Sequence, residues 1–172
     1  ISDQLDALSI IFRNILNKGK STISIGDEIK FLESYVFIMN KRYNDKVQFW
    51  IDLDEEDAEE IKEHAILKLL IQPLIENCFV HGLKYKDENG IIVLRFYIMD
   101  DDLFIEVEDN GQGIDSNMNL EKIFEEQSSQ QYSALKNIYD RIKLFYGNEY
   151  GMKIEGKKEK GTCITLKLPF YK

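Results

Sequence analysis

The residues best suited to chemistry are an acidic side chain and two closely spaced glycines in the run from Asp109 to Gly113, at the end of an alternating strand. Leu103, Ile105 and Val107 precede it, and because strand side chains alternate with period two, Asp109 falls on their apolar face. A buried carboxylate without a partner is costly. Asp109 is therefore either solvated in a surface turn, which Asn-Gly favours, or directed inward toward a hydrogen-bond donor.

A second polar set interrupts the apolar run 65–83. This run predicts a buried helix that Pro73 either bends or begins. Gln72 and Glu76 are four apart, as are Asn77 and His81, so the two pairs form adjacent polar faces. Asn77 could bridge groups inside the core, and His81 could be a structural histidine near a helix end, but buried polar atoms need partners in either case.

The elements before these residues are predicted from periodicity. They are an amphipathic helix over 1–18, a linker at 18–21, a helix over 27–43 capped by Ser24 or Asp27, a strand over 47–53 and an acidic loop over 54–60. An exposed first helix is typical of a dimer bundle. We therefore expect a domain boundary near residue 20, although both helices could instead cover one sheet.

The remaining elements complete a sheet. They are a hairpin of strands 91–99 and 103–109, a helix over 133–145 and a final hairpin of 152–155 with 162–168. Residues 115–132, which we call the lid segment, show only one possible turn at 120–124, and loops of this length are usually functional. The order predicts an α/β two-layer sandwich: a mixed, mostly antiparallel sheet with helices on one face.

Composition and net charge limit the classes of protein to which the chain can belong. The 172 residues are 44% hydrophobic with a net charge of −9, which indicates a globular chain and argues against a nucleic-acid partner. Cys78 and Cys163 are predicted to be reduced core thiols of a cytosolic protein. No apolar run of about 18 residues occurs. The chain begins at Ile1 without an initiator Met, so we expect it to be part of a longer protein.

Four motifs give the chain a family resemblance. They are L-I-Q-P-L-I-E-N-C-F-V-H-G at 70–82, D-N-G-Q-G-I at 109–114, L-K-N-I-Y-D-R-I at 135–142 and G-T-C-I-T-L-K-L-P at 161–169. With them the chain resembles the sensor histidine kinases that have the Bergerat ATP-binding fold, in particular the membrane sensors that govern autolysis and sugar uptake. The resemblance runs from Ile1 to Pro169.

The resemblance implies roles for individual residues. Asn77 is similar to the N-box asparagine that binds the Mg²⁺ bridging the ATP phosphates, and Asp109 to the aspartate that receives the adenine amino group. Thr162 would lie beside the base. Gly111 and Gly113 would let backbone approach it, because glycine has no Cβ. The nucleotide-binding set is then Asn77, His81, Asp109, Gly111, Gly113, Leu135 and Thr162, with Glu76 as a possible base for the acceptor histidine.

Two departures from the family pattern concern the phosphate end of the site. The family's second glycine pair, G-x-G-L, corresponds here to Tyr132, Ser133, Ala134 and Leu135, and the basic residue three after the asparagine is Val80. An alternative is therefore a nucleotide-sensing or scaffolding module that has lost catalysis. A third class, the gyrase, MutL and chaperone type of ATPase, needs a glutamate four residues before the asparagine, where this chain has Pro73.

The resemblance also implies partners. Residues 1–20 resemble the second helix of a dimerisation hairpin and 21–172 the ATP-binding domain, so the full protein would be a homodimer that signals to a response regulator. The acceptor histidine would lie upstream, since His64 and His81 are the chain's two histidines. The implied location is the cytoplasmic part of a bacterial inner-membrane sensor, attached to the membrane through upstream segments alone.

Overall fold

The computed structural model describes residues 19–84, 86, 89–114, 120–125 and 130–170. The helices are α1 (Ile25–Arg42), α2 (Ala58–Glu63), α3 (Gln72–Asn77), α4 (Leu120–Glu125) and α5 (Gln130–Tyr146), with a π-helical turn at Cys78–Gly82 after α3. The strands are β1 (Thr22–Ser24), β2 (Val47–Leu53), β3 (Ala65–Leu67), β4 (Gly90–Met99), β5 (Asp102–Asp109), β6 (Gly151–Lys157) and β7 (Gly161–Pro169). The helix predicted over 1–18 lies outside the described residues.

The main sheet has five strands in the order β2-β4-β5-β7-β6. Only the β2–β4 pair is parallel. One face carries the buried side chains of β4, β5 and β7, such as Leu94, Ile105 and Leu166, each with no exposed surface. The opposite face carries Arg95, which pairs with Glu108. The predicted two-layer α/β sandwich with a mixed, mostly antiparallel sheet is confirmed.

Helix α1 forms because a cap and an apolar stripe agree. The Ser24 side chain accepts a hydrogen bond from the Asp27 backbone N–H at 3.2 Å, which selects Ser24 from the two predicted caps. Phe31, Leu32 and Val36 are buried on one side of the helix. The helix therefore begins at Ile25, two residues before its predicted start.

The prediction of a solvated loop over 54–60 is wrong in its second half. Helix α2 occupies Ala58–Glu63, and its single apolar anchor, Ile61, is fully buried. Glu59 and Glu60 lie in the first turn, where negative charge is favourable to the helix dipole. Because acidic residues dominate this stretch, the amphipathic pattern of α2 was not recognised from the sequence.

The predicted helix over 65–83 is also corrected. Ala65–Leu67 forms strand β3, which pairs antiparallel with β1, and α3 begins only at Gln72. Pro73 lies in the first turn of α3, where its missing N–H costs nothing. Of the two predicted effects of Pro73, the helix start is the observed one.

The lid segment has more helix than predicted. Leu120–Glu125 is helical where a turn was expected, and α5 begins at Gln130 rather than at 133. Residues 115–119 and 126–129 of the lid segment lie outside the described residues. Tyr132, expected at the end of the lid segment, thus lies inside a helix.

Candidate functional site

A cavity of about 420 Å³ lies between α3, the π-helical turn, the ends of β5 and β7, and helices α4 and α5. We call it the central cavity. Six of the predicted site residues line it: Asn77, His81, Asp109, Gly113, Leu135 and Thr162. The sequence separates these residues widely, and the fold brings them together.

Asp109 lies at the base of the central cavity and is directed inward, with only 6% of its surface exposed. The surface-turn alternative is therefore excluded. The protein itself supplies donors to the carboxylate, since Oδ1 accepts a hydrogen bond from the Gly111 N–H at 2.8 Å. The Cys78 thiol and the Thr162 backbone N–H also donate to this carboxylate. Sequence reasoning missed Cys78, because its motif position gave no sign of the contact.

The electrostatics of Asp109 reflect this surrounding. Burial raises the pKa of its carboxyl above the ordinary value, while hydrogen bonds from Gly111, Cys78 and Thr162 act in the opposite direction. Burial also raises the pKa of the Cys78 thiol, and the nearby carboxylate adds to that effect. The thiol is therefore a hydrogen-bond donor rather than a reactive thiolate.

Gly111 has a structural explanation that differs from the predicted one. It does not appear among the described residues lining the central cavity, and a Cβ at this position would lie 2.0 Å from the Gly82 carbonyl oxygen. Gly113 does line the cavity, with φ +71°. Only Gly113 is placed to let backbone approach a ligand, whereas Gly111 allows the β5 loop to pack against the π-helical turn.

That packing joins two motifs into one unit. The Gln112 backbone N–H donates to the Gly82 carbonyl at 2.9 Å, and the Gln112 side chain donates to the His81 carbonyl at 3.4 Å. A Cβ on Gly82 would lie 2.7 Å from Oδ1 of Asp109. Gly82 is a site residue that sequence reasoning quoted within a motif but did not assign.

Asn77, at the end of α3, is the polar group in the cavity with the least protein support. Its Nδ2 atom is buried and has no hydrogen-bond partner among the described residues. A buried amide without a partner costs roughly 1–3 kcal/mol. The alternative that Asn77 bridges core groups has no support in the described contacts, and a ligand-binding role accounts for the unused amide.

Asn77 and His81 occupy the cavity face, and Gln72 and Glu76 the other polar face. Glu76 is exposed, and its charge acts on Tyr35 of α1, whose pKa is raised to about 12 mainly by burial. Glu76 is absent from the described lining of the central cavity. The Glu76 side chain is therefore open to solvent rather than enclosed in the core.

The phosphate end predicted from the motifs is lined by Val80, His81, Lys84 and Tyr132. Burial lowers the pKa of His81, and the positive charge of Lys84 lowers it further, so the neutral imidazole is favoured. Val80 is 36% exposed. The Tyr132 side chain thus lines the cavity at a position where the family pattern has glycine.

Thr162 is held at the cavity edge by the sheet. It is the β7 partner of Asp109, and the preceding Gly161 has φ +102°. A Cβ on Gly161 would lie 1.8 Å from the Asp109 carbonyl oxygen. Position 161 therefore requires glycine, and this explains the Gly161-Thr162 pair.

The described residues contain no group of three or more His, Cys, Asp or Glu side chains that could hold a metal ion. None of the described helices is long and apolar enough to cross a membrane.

Comparison with known families agrees with this geometry. The family model for the histidine kinase-, DNA gyrase B- and HSP90-like ATPases matches residues 63–172, and the histidine kinase model matches residues 1–47. The chain is 31% identical over 169 residues to the sensor histidine kinase YesM of Bacillus subtilis, covering 98% of this chain and 28% of that protein. It is 29% identical to the sensor protein kinase HptS of Staphylococcus aureus, covering 94% of this chain and 31% of that protein.

Solved structures show the same fold. The histidine kinase domain of the Erythrobacter litoralis blue-light activated histidine kinase matches with a TM-score of 0.58 and 18% identity, covering 98% of this chain and 78% of that one. The histidine kinase ThkA, solved in complex with the response regulator protein TrrA, matches with a TM-score of 0.64 and 19% identity, covering 99% of this chain and 49% of that one. The resemblance to sensor histidine kinases inferred from the motifs is confirmed by the family models and the relatives.

Proposed function

Since the chain belongs to the histidine kinase-, DNA gyrase B- and HSP90-like ATPase family, we propose that it is the ATP-binding catalytic part of a sensor histidine kinase. It transfers the ATP γ-phosphate to a histidine of a dimerisation hairpin, for relay to a response regulator. The observation that carries this proposal is the convergence of Asp109, Thr162 and Asn77, the last with an unpartnered buried amide, on one cavity.

Asp109 binds the adenine end of the nucleotide. The exocyclic amino group of adenine is a donor, and a carboxylate held by the Gly111 N–H, the Cys78 thiol and the Thr162 N–H presents a fixed acceptor to it. Because Oδ1 of Asp109 already accepts a hydrogen bond from the Gly111 N–H, the carboxylate is oriented before adenine binds. Thr162 lies beside the base at the same edge.

Asn77 holds the metal at the phosphate end. Mg²⁺ prefers oxygen ligands, keeps several waters and takes few ligands from the protein, so one amide with phosphate oxygens is a sufficient site. The metal ligand would be Oδ1 of Asn77, while the unpartnered Nδ2–H₂ group can donate to a phosphate oxygen without breaking a hydrogen bond among the described residues. Bound Mg²⁺ would neutralise charge on the phosphates during transfer.

Glu76 is the candidate base for the acceptor histidine. It is exposed on the polar face of α3 adjacent to the cavity face, and its charge acts on Tyr35 of α1, so a side chain from another segment can reach it. A carboxylate in hydrogen-bond reach of the acceptor imidazole would hold its proton and orient the attacking nitrogen. This role requires the acceptor to approach from the α1 side.

The relatives support the proposed partners. They are named sensor kinases, and ThkA is solved with a response regulator. The chain spans about a third of the length of YesM and HptS, so the whole proteins contain further segments. On this basis residues 1–20 belong to a dimerisation hairpin, residues 21–172 form the ATP-binding domain, and the full protein is a homodimeric bacterial membrane sensor whose cytoplasmic part includes this chain.

The test is calorimetric titration of the chain with ATP in Mg²⁺ and again in EDTA. Saturable binding that is stronger with Mg²⁺, and whose Mg²⁺ dependence is lost in Asn77→Ala, is expected. The chain alone should form no phosphohistidine, because neither of its histidines lies at the acceptor position of the family: the His64 Nε2–H donates to the Pro169 carbonyl, and His81 lines the cavity. Absence of ATP binding would instead support the scaffolding alternative, which the tyrosine at position 132 favours.

A further inference from the structure

The loop between β3 and α3 contains a strained backbone. Leu69 has φ +58° and is 54% exposed, so neither glycine-like freedom nor burial of its side chain accounts for this conformation. A left-handed conformation is unfavourable for an ordinary residue and persists only when its surroundings fix it. This conformation therefore indicates that contacts with another part of the protein hold the loop in place.

The constraint comes from α5. The Arg141 guanidinium donates through Nη1 to the Leu69 carbonyl at 2.9 Å and through Nη2 to the Lys68 carbonyl at 2.6 Å. The Tyr146 hydroxyl accepts from the Leu67 backbone N–H at 2.9 Å. The last residue of β3 and the first two residues of the loop are thus bound by one helix, and a charged planar fork fixes the orientation of two successive peptide groups.

This loop leads directly into the helix that carries Asn77. Leu74 and Ile75 both donate to the Ile71 carbonyl, so the first turn of α3 is built on the residue that follows the strained segment. The peptides at 68–69 therefore help to fix where α3 begins. Leu74 and Ile75 of this short helix are fully buried, and Asn77 lies at its far end.

Helix α5 also forms part of the cavity wall. Leu135 and Tyr132 of α5 line the central cavity, and Arg141 follows Leu135 by six residues, roughly 9 Å along the helix axis. The amino-terminal half of α5 thus borders the cavity, while its carboxy-terminal half binds the segment that leads into α3. Arg141 therefore links the cavity wall to that segment.

We propose that Arg141 is a positioning residue that fixes the place of Asn77 relative to α5, and thereby sets the strength of metal-dependent nucleotide binding. The inference rests on the proposed function and deepens it. Arg141 touches no nucleotide in this account, since it acts on the backbone at 68–69. Loss of the Arg141 fork should therefore weaken Mg·ATP binding more than it weakens the binding of metal-free ATP.

The test measures ATP affinity with Mg²⁺ and with EDTA for the wild type, Arg141→Lys, Arg141→Ala, Asn77→Ala and the Arg141→Lys/Asn77→Ala double variant. We expect Arg141→Lys, which retains the charge but loses the fork, to weaken Mg·ATP binding tenfold or more while metal-free ATP changes less than about threefold. The double variant should bind Mg·ATP no more weakly than Asn77→Ala, because both changes remove the same contribution.

Arg95→Lys is the matched control, because Arg95 pairs with Glu108 on the opposite face of the sheet. It should leave both affinities unchanged. Equal weakening of Mg·ATP and metal-free ATP by Arg141→Lys would indicate a general structural role and overturn the positioning proposal, as would unchanged affinities. If the wild type binds no ATP at all, the proposed function and this inference both fail, whereas wild-type binding with unaffected Arg141 variants removes the inference alone.

Discussion

Gly82 lies directly against the carboxylate of Asp109, so closely that a Cβ on Gly82 would stand 2.7 Å from Oδ1 and 3.0 Å from Oδ2. The end of the π-helical turn is therefore the surface that holds the inward carboxylate in place. Gly111 packs on the Gly82 carbonyl, so the motifs at 70–82 and 109–114 meet at this contact.

Gly82→Ala should displace the Asp109 side chain and weaken ATP binding by tenfold or more. Overpacking a tight contact typically costs about 1–3 kcal/mol, so the free energy of unfolding should also fall. The measurements are calorimetric titration and urea denaturation. Gly151→Ala is the control, since the atoms nearest to a Cβ there belong to the Lys143 and Tyr139 side chains, at 3.4–3.5 Å, an ordinary contact distance. Unchanged ATP affinity in Gly82→Ala would show that this contact does not position Asp109.

Asn77→Ala should lower Mg·ATP affinity without lowering the stability of the protein. Removing an unpartnered buried amide relieves a desolvation cost of roughly 1–3 kcal/mol, which offsets the lost packing. Urea denaturation in the absence of nucleotide measures this. In Asn110→Ala, by contrast, stability should fall, because Asn110 accepts from the Ile91 N–H and donates to the Asn89 carbonyl. A loss above about 1 kcal/mol in Asn77→Ala would identify Asn77 as a structural residue.

The double substitution Tyr132→Gly/Ala134→Gly should raise affinity for Mg·ATP and lower stability. It restores the glycines of the family pattern where Tyr132 now lines the cavity, but each glycine inside α5 costs about 1 kcal/mol. Titration and thermal denaturation give the two readouts. Ser133→Gly, an exposed position between them, should lower stability without raising affinity. Equal or weaker Mg·ATP binding in the double variant would show that the tyrosine does not limit the site.

Ionisation of Glu28 should lower the free energy of unfolding as pH rises. It is 3% exposed with an unpartnered Oε1, and burial raises its pKa from 4.5 to about 7, although Lys68 acts in the opposite direction. The folded state then holds its proton more tightly than the unfolded state, so this contribution is complete below about pH 4.5 and is lost as pH rises through about 7.

Glu28→Gln should therefore stabilise the protein at pH 8 by up to about 3 kcal/mol, with little effect at pH 4.5. Urea denaturation at both values measures the difference, and Glu33→Gln, an exposed position on the same helix, should change neither. The same stability change at both pH values would mean that Glu28 does not titrate between them.

The parts of the fold that the sequence predicts are those set by local pattern. Alternation over Leu103–Val107 predicts the strand and places Asp109 on its apolar face, and the apolar stripe predicts α1, although the predicted start is two residues late. Strand β3 was missed because its three residues depend on β1, a partner far along the chain. Helix α2 was missed because Ile61 alone marks its buried side.

The site was predicted unevenly for a related reason. Residue types within motifs identify Asp109, Asn77 and Thr162, but not how they are supported. The thiol of Cys78 and the N–H of Thr162 reach Asp109 only once the π-helical turn and β7 pack on β5. The contact of Arg141 with the loop before α3 likewise depends on tertiary packing.

The central claim is that Asp109 reads the amino group of adenine, and a comparison of ATP with inosine triphosphate tests it most directly. Inosine triphosphate carries an oxygen in place of that amino group and is otherwise the same at the phosphates. Calorimetric titrations in Mg²⁺ should show the wild type binding ATP at least about tenfold more tightly, a difference of about 1.4 kcal/mol, with Glu108→Gln unchanged. In Asp109→Asn, whose amide can donate as well as accept, the preference should fall to near one. An equal preference for ATP in the wild type and in Asp109→Asn would contradict the account.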